Sequence, residues 1–160
     1  MKLKSKMTGF FILACLIGAP LISKSPSEKK HDLESRIKIK LLGFRNNKGQ
    51  ALIGLVDEKG KTKFPGSGQN LLYKTQGKIE NGIATFVLIN VKYGTYALQA
   101  FHDENSNFEF DKSSFMNLPK EGYGFSNNVE GERSAPSFDQ AKFIIDKPEM
   151  EMEIIIRYLL

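Results

Sequence analysis

The chain has 160 residues, of which 41% are hydrophobic and 26% charged, with a formal net charge of +5; that is room for one domain with a real core once any targeting segment is set aside. Three of its 23 Lys and Arg residues, Lys2, Lys4 and Lys6, lie at the extreme N-terminus, leaving 20 against 18 Asp and Glu, interspersed along the body. A nucleic-acid partner needs clustered cations, so this balance argues against one. The sole cysteine is Cys15 and the only histidines are His31 and His102, so the body has no disulfide, no thiolate nucleophile and no Cys/His zinc set, and a Ser-His-Asp relay would depend on one of two imidazoles.

Residues 1–23 read MKLKSKMTGFFILACLIGAPLIS. A basic start followed by an apolar run from Phe10 to Ile22 has the length of a signal-peptide core and is short for a spanning helix. The expected product is exported, periplasmic or extracellular, with no transmembrane helix in its mature form. Ile12-Leu13-Ala14-Cys15 loosely resembles a lipobox, which makes lipid anchoring at Cys15 the alternative. Residues 24–35 are polar and contain Pro26, a composition that predicts a flexible tether. The domain is expected over 36–160.

Arg36 to Leu41 alternates apolar and cationic residues, the period of a half-buried strand. After the turn cluster Asn46-Asn47-Lys48-Gly49, the apolar run Ala51–Val56 predicts a second strand, paired with the first as a hairpin. A short strand is expected near Leu71–Lys74. Asn81-Gly82 has the composition of a type I′ turn. Ile83–Val91 is a continuous run rich in β-branched residues and reads as a central strand buried on both faces. Beyond a turn at Lys92–Thr95, Tyr96, Leu98 and Ala100 share a face, and His102 continues it to a buried, hydrogen-bonded place at the strand end. Ser137–Ile145 ends in a strand. The last run is the clearest alternation, with Met150, Met152, Ile154, Ile156 and Tyr158 set against Glu149, Glu151, Glu153 and Arg157. Turns recur about every ten residues and no segment sustains a helical period, which predicts an all-β antiparallel sandwich.

Between the strands lies the densest stretch, from Tyr93 to Asn128. Asp103, Asn105, Asn107, Glu109 and Asp111 place oxygens at alternate positions, the spacing by which a calcium loop presents side-chain ligands and one backbone carbonyl. Asp103, Asn105, Asn107 and Asp111 are the candidate metal ligands, with Glu109 at the carbonyl position. Phe108 stands where such a loop needs glycine, and Ser114 where it needs a bidentate Glu, so a calcium site here would be weak. The competing reading is a loop whose Asp and Asn side chains cap their own backbone. Downstream, Tyr123 and Phe125 in Gly122-Tyr123-Gly124-Phe125 are candidates for stacking on a carbohydrate or other small ligand.

The segments YALQAFHDENSNFEFD (96–111), LPKEGYGFSNN (118–128) and APSFDQAKF (135–143) closely resemble the exported bacterial family catalogued as domain of unknown function 2141. The resemblance extends more loosely from Arg36 to Tyr158. In that family the loop usually reads H-D-x-N-x-N-G-x-x-D, so Phe108 replaces its usual glycine. The resemblance implies an immunoglobulin- or transthyretin-like β-sandwich and export. The function expected is therefore that of an exported, non-enzymatic sandwich, an envelope-associated interaction module for a protein or other envelope component, with the 102–128 loops as its distinctive surface. The alternatives are a weak calcium-binding module through loop 103–111 and a small-ligand or carbohydrate binder through loop 122–128.

Overall fold

Alternation of Ile37, Ile39 and Leu41 with cations produces β1 (Glu34–Leu42), in which those three residues are fully buried and the cations between them face outward. The computed structural model describes residues 33–66, 70–114, 117–131 and 134–159. These all fall in the unit His31–Leu160. The expected signal peptide, Cys15 and most of the expected tether lie outside the described residues. β1 begins two residues inside the stretch read as tether.

The other strands are β2 (Gln50–Asp57), β3 (Tyr73–Gly77), β4 (Ile83–Lys92), β5 (Gly94–Asp103), β6 (Tyr123–Phe125), β7 (Phe143–Ile145) and β8 (Glu149–Ile155). They form a three-stranded sheet in the order β4-β1-β8, and a larger sheet in the order β3-β2-β5-β6, with β7 also on β5. All pairings are antiparallel except β1 with β8, which is parallel. One continuous core holds Ile37, Ile39 and Leu41 of β1, Phe86 and Leu88 of β4 and Ile154 of β8, together with Ile53 and Leu55 of β2 and Leu98 and Ala100 of β5. The fold is an all-β sandwich. Among the described residues no helix is long and apolar enough to cross a membrane.

A second cluster covers the outer face of the larger sheet. Val56, Ala97, Phe125, Phe138 and Ala141 pack there with Phe64, Leu71, Tyr123 and Val129. Phe138 and Ala141 come from a single-turn helix, α1 (Phe138–Ala141), set by a capping box: the Ser137 hydroxyl accepts from the Gln140 amide, and the Gln140 side chain accepts from the Ser137 amide.

Three expectations need correction. β1 and β2 are not a hairpin, because they belong to different sheets; the turn-rich link between them carries the chain across the sandwich. Asn81 and Gly82 do take the positive φ values of a type I′ turn, 54° and 73°. That turn joins β3 of one sheet to β4 of the other rather than two neighbouring strands. The strand buried on both faces is β2, not β4. Val87 and Ile89 of β4 are exposed, because among the described residues nothing packs on the outer face of the smaller sheet as α1 packs on the larger.

Candidate functional site

Strand β5 delivers His102 and Asp103 to one end of the sandwich, where Gln50 opposite Asp103 opens β2. The Asp103 carboxylate is fully buried, which is tolerable only with strong donors on its oxygens. It has three. Its Oδ1 accepts from the Asn107 amide at 3.0 Å, and its Oδ2 accepts from the Phe108 amide at 3.0 Å and from Gln50 Nε2 at 2.7 Å. The loop is thereby wound around its first residue.

The following side chains continue the pattern. Asn105 Oδ1 accepts from the Asn107 amide at 3.1 Å, and Asn107 Oδ1 from the Glu109 amide at 2.8 Å. The side-chain amides of Asn105 and Asn107 donate to Asp111 Oδ2 at 2.7 and 3.3 Å. The structure thus brings Asp103, Asn105, Asn107 and Asp111 together, with most of their oxygens turned onto the main chain or one another. Phe108 adopts φ 64°, the left-handed conformation that a glycine would enter freely, and the residue is 48% exposed. Among the described residues no group of three or more His, Cys, Asp or Glu is placed to hold a metal ion.

Glu121, which the sequence pattern does not single out, locks this loop from behind. It is buried, and its two oxygens accept from the amides of Glu104 and Asp111, each at 3.0 Å. Burial raises its pKa above the ordinary value, and the nearby Asp111 and Asp103 charges add to the rise, against the pull of the two amide bonds. One carboxylate therefore pins both ends of the segment 104–111. A lone Glu between Lys120 and Gly122 carries no local signal of this role, which depends on a contact seventeen residues away.

His102 lies where its strand face predicts, fully buried. Its Nε2 stands 2.8 Å from the Lys48 carbonyl, which can only accept, so Nε2 carries the proton. Its Nδ1 is hydrogen-bonded with the Tyr158 hydroxyl at 2.6 Å, and that hydroxyl accepts from the Arg45 amide at 3.3 Å. Both ring nitrogens are committed to structure. Arg45 lies over the Tyr158 ring, 4.6 Å from its centroid, and its Nε donates to Glu104 at 2.7 Å. Burial alone would raise the Glu104 pKa; hydrogen bonds from Asn46 and Arg45 and the charge of Arg45 outweigh it and hold the carboxyl below its ordinary range.

The Gly122–Asn128 segment seals rather than opens the surface. Gly124 passes so close to β8 that a Cβ there would sit 2.6 Å from the Ile155 carbonyl. Ser126 is buried, and its hydroxyl accepts from the Leu98 amide and donates to the Ala141 carbonyl at 2.5 Å. Asn127 donates to the Lys142 carbonyl at 2.9 Å. Asn128 acts as a surrogate strand on the edge of β8, accepting from the Ile155 amide at 2.8 Å and donating to the Glu153 carbonyl at 3.2 Å. The expected stacking surface of Tyr123 and Phe125 is corrected on one ring: Phe125 is buried, with Phe64 and Tyr123 edge-on or tilted against it at 5.8 and 5.9 Å. Tyr123 is half-buried and touches Phe110.

No curated protein and no solved structure matches the chain. One family model does, that of a family described as "Uncharacterized protein conserved in bacteria (DUF2141)", over residues 39–153. The match takes in seven of the eight described strands whole or nearly so, the Asp/Asn loop and the edge-sealing Asn128. The chain belongs to this family, domain of unknown function 2141.

Proposed function

We propose that the protein is an exported, non-enzymatic interaction module that presents its 103–111 loop to another component of the cell envelope, with Phe108 as the anchor. The observation that carries this reading is the Phe108 side chain itself. A non-glycine residue in the left-handed region costs roughly 1–2 kcal/mol, and this residue recovers little of that by burial, being 48% exposed. Strain held in place by Asp103 and Glu121, with an aromatic ring left in solvent, fits a contact residue on a rigid mount better than a packing residue. The buried His102, bonded at both ring nitrogens, and the carboxylates turned onto the loop's own amides support the non-enzymatic part.

The test places a photo-crosslinking residue at position 108, and separately at exposed Ile144 as a control, in cells where the protein is made with its own leader. An envelope partner captured at 108 and not at 144, and lost from the Phe108→Gly chain labelled at position 109, supports the reading. Equal capture at both positions contradicts it. Export is tested by N-terminal sequencing of the protein recovered outside the cytoplasm, and lipid anchoring by fatty-acid labelling with and without Cys15→Ala.

A second reading, weak calcium binding, is favoured by one feature. Phe108 already has the conformation that the sixth position of a calcium loop requires, and Asn105, Asn107 and Asp111 meet within hydrogen-bonding distance. Two carboxylates and two amides suit a site in the range of about 10⁻⁴–10⁻³ M. A rise in melting temperature at millimolar calcium that Asp111→Ala abolishes supports it; an unchanged melt removes it.

A further inference from the structure

An asparagine followed by glycine carries a reaction of its own. The glycine amide nitrogen gives its proton to solvent base and attacks the asparagine side-chain carbon, Cγ. The new C–N bond closes a succinimide ring, and the side-chain nitrogen leaves as ammonia. Water then opens the ring at either carbonyl, to aspartate or to isoaspartate. Asparagine is thermolabile in proteins, and glycine, with no side chain, hinders the attack least. Among the asparagines of the chain only Asn81 precedes glycine.

The fold leaves this dipeptide open to water. Asn81 is exposed and Gly82 half-buried. Beyond its chain neighbours, a Cβ built on Gly82 would meet nothing nearer than the Phe44 carbonyl, at 3.7 Å. The same fold restrains the reacting atoms. The Gly82 amide, the nucleophile, donates to Asn47 Oδ1 at 2.9 Å. Glu80 and Ile83, on either side, exchange two main-chain bonds at 3.0 and 2.8 Å, and the two residues between them hold φ values of 54° and 73°. The nitrogen can attack only after giving up the Asn47 bond, since the proton in that bond is the one the reaction removes.

We propose that Asn81 is a site of spontaneous succinimide formation, and that Asn47, on the link between β1 and β2, sets its rate by holding the Gly82 amide. Asn47 is itself exposed, so its side chain can be changed without opening the core. The product falls on the crossing between the two sheets, because this turn joins β3 to β4. Isoaspartate there inserts an extra main-chain carbon into the segment that the Glu80–Ile83 bonds span.

The test follows isoaspartate at position 81 by peptide mapping of the purified protein aged in mildly alkaline buffer, with the same protein unfolded in urea as reference. The folded parent should react more slowly than the unfolded one. Asn47→Ala should speed the folded reaction about fivefold, the factor that one net hydrogen bond is worth, and leave the unfolded rate unchanged. Asn47→Asp keeps an acceptor oxygen and should react as the parent does. Asn105, followed by Ser106, is the internal control for a general loosening of the fold and should keep its parent rate in every variant. A folded parent as reactive as its unfolded form, an Asn47→Ala chain no faster than the parent, an Asn47→Asp chain as fast as Asn47→Ala, or an equal rise at Asn105 overturns the proposal.

Discussion

The loop end of the sandwich and the free edge of β4 reverse what their compositions suggest. The loop end is crowded with Asp, Asn, Glu and His, yet those side chains are spent on main-chain amides and on each other: Asp103 takes two loop amides and Gln50, Glu121 takes two more, and His102 is bonded on both nitrogens. The β4 edge has an ordinary apolar composition, yet among the described residues it is where main-chain groups of Thr85, Val87 and Ile89 turn away from β1 toward no neighbouring strand. Side-chain polarity marks where a chain needs internal satisfaction; openness depends on which strands the topology leaves without a neighbour.

Removing the loop's central carboxylate should have the largest effect. Asp103→Ala strands the Phe108 amide and Gln50 beside a buried gap and leaves the Asn107 amide only Asn105 Oδ1, and should cost about 3 kcal/mol in denaturant unfolding. A loss below about 1 kcal/mol would mean that the loop is not wound on this residue. Asn128→Ala comes next, at about 2 kcal/mol, from two bonds to β8 and from placing alanine where Asn128 holds φ 52°. It should also expose a second sheet edge and promote aggregation, visible by light scattering. Phe108→Gly has the opposite sign: release from the left-handed region should stabilise by about 1 kcal/mol, while partner capture falls. A destabilised glycine variant would show that the ring packs rather than projects.

The smallest effect is the pH response. Glu104 has a folded pKa below its unfolded one, so its stabilisation is present above the ordinary glutamate value and is lost as pH falls through the folded value. Glu121 runs the other way. Its raised value means that the folded state holds the proton more tightly, so stability declines as pH rises from the ordinary value through the folded one. Glu104→Gln should therefore flatten the acid-side loss of stability by a few tenths of a kcal/mol, roughly the worth of a partly exposed ion pair. An unchanged pH profile would detach Arg45 and Glu104 from the stability of this end.

Much of the fold was legible because alternation survives where one face is buried and the other wet. The runs Arg36–Leu41 and Glu149–Ile155 show it cleanly, and both lie in the sheet whose outer face is solvated. The hairpin expected of β1 and β2 failed because local turn chemistry says that the chain reverses, not which sheet it reverses into. An apolar run such as Ile83–Val91 does not show whether its outer face is covered; that is decided by α1, far along the chain. The start of α1 itself had a readable sign, Ser137 followed three residues later by Gln140. At the loop end the four metal-ligand candidates lie together, but the direction of their oxygens was not readable, because Asx spacing is common to caps and to ligand loops. Glu121 and Arg45 act through contacts distant in sequence and carried no local mark.

The account turns on the 103–111 loop being held by its own buried carboxylate. Native-state hydrogen exchange at the amides of Asn107 and Phe108 tests this most directly. Protection approaching that of the core strands, lost on Asp103→Ala, is the predicted result. Exchange at the rate of an open surface loop in the parent protein would contradict it.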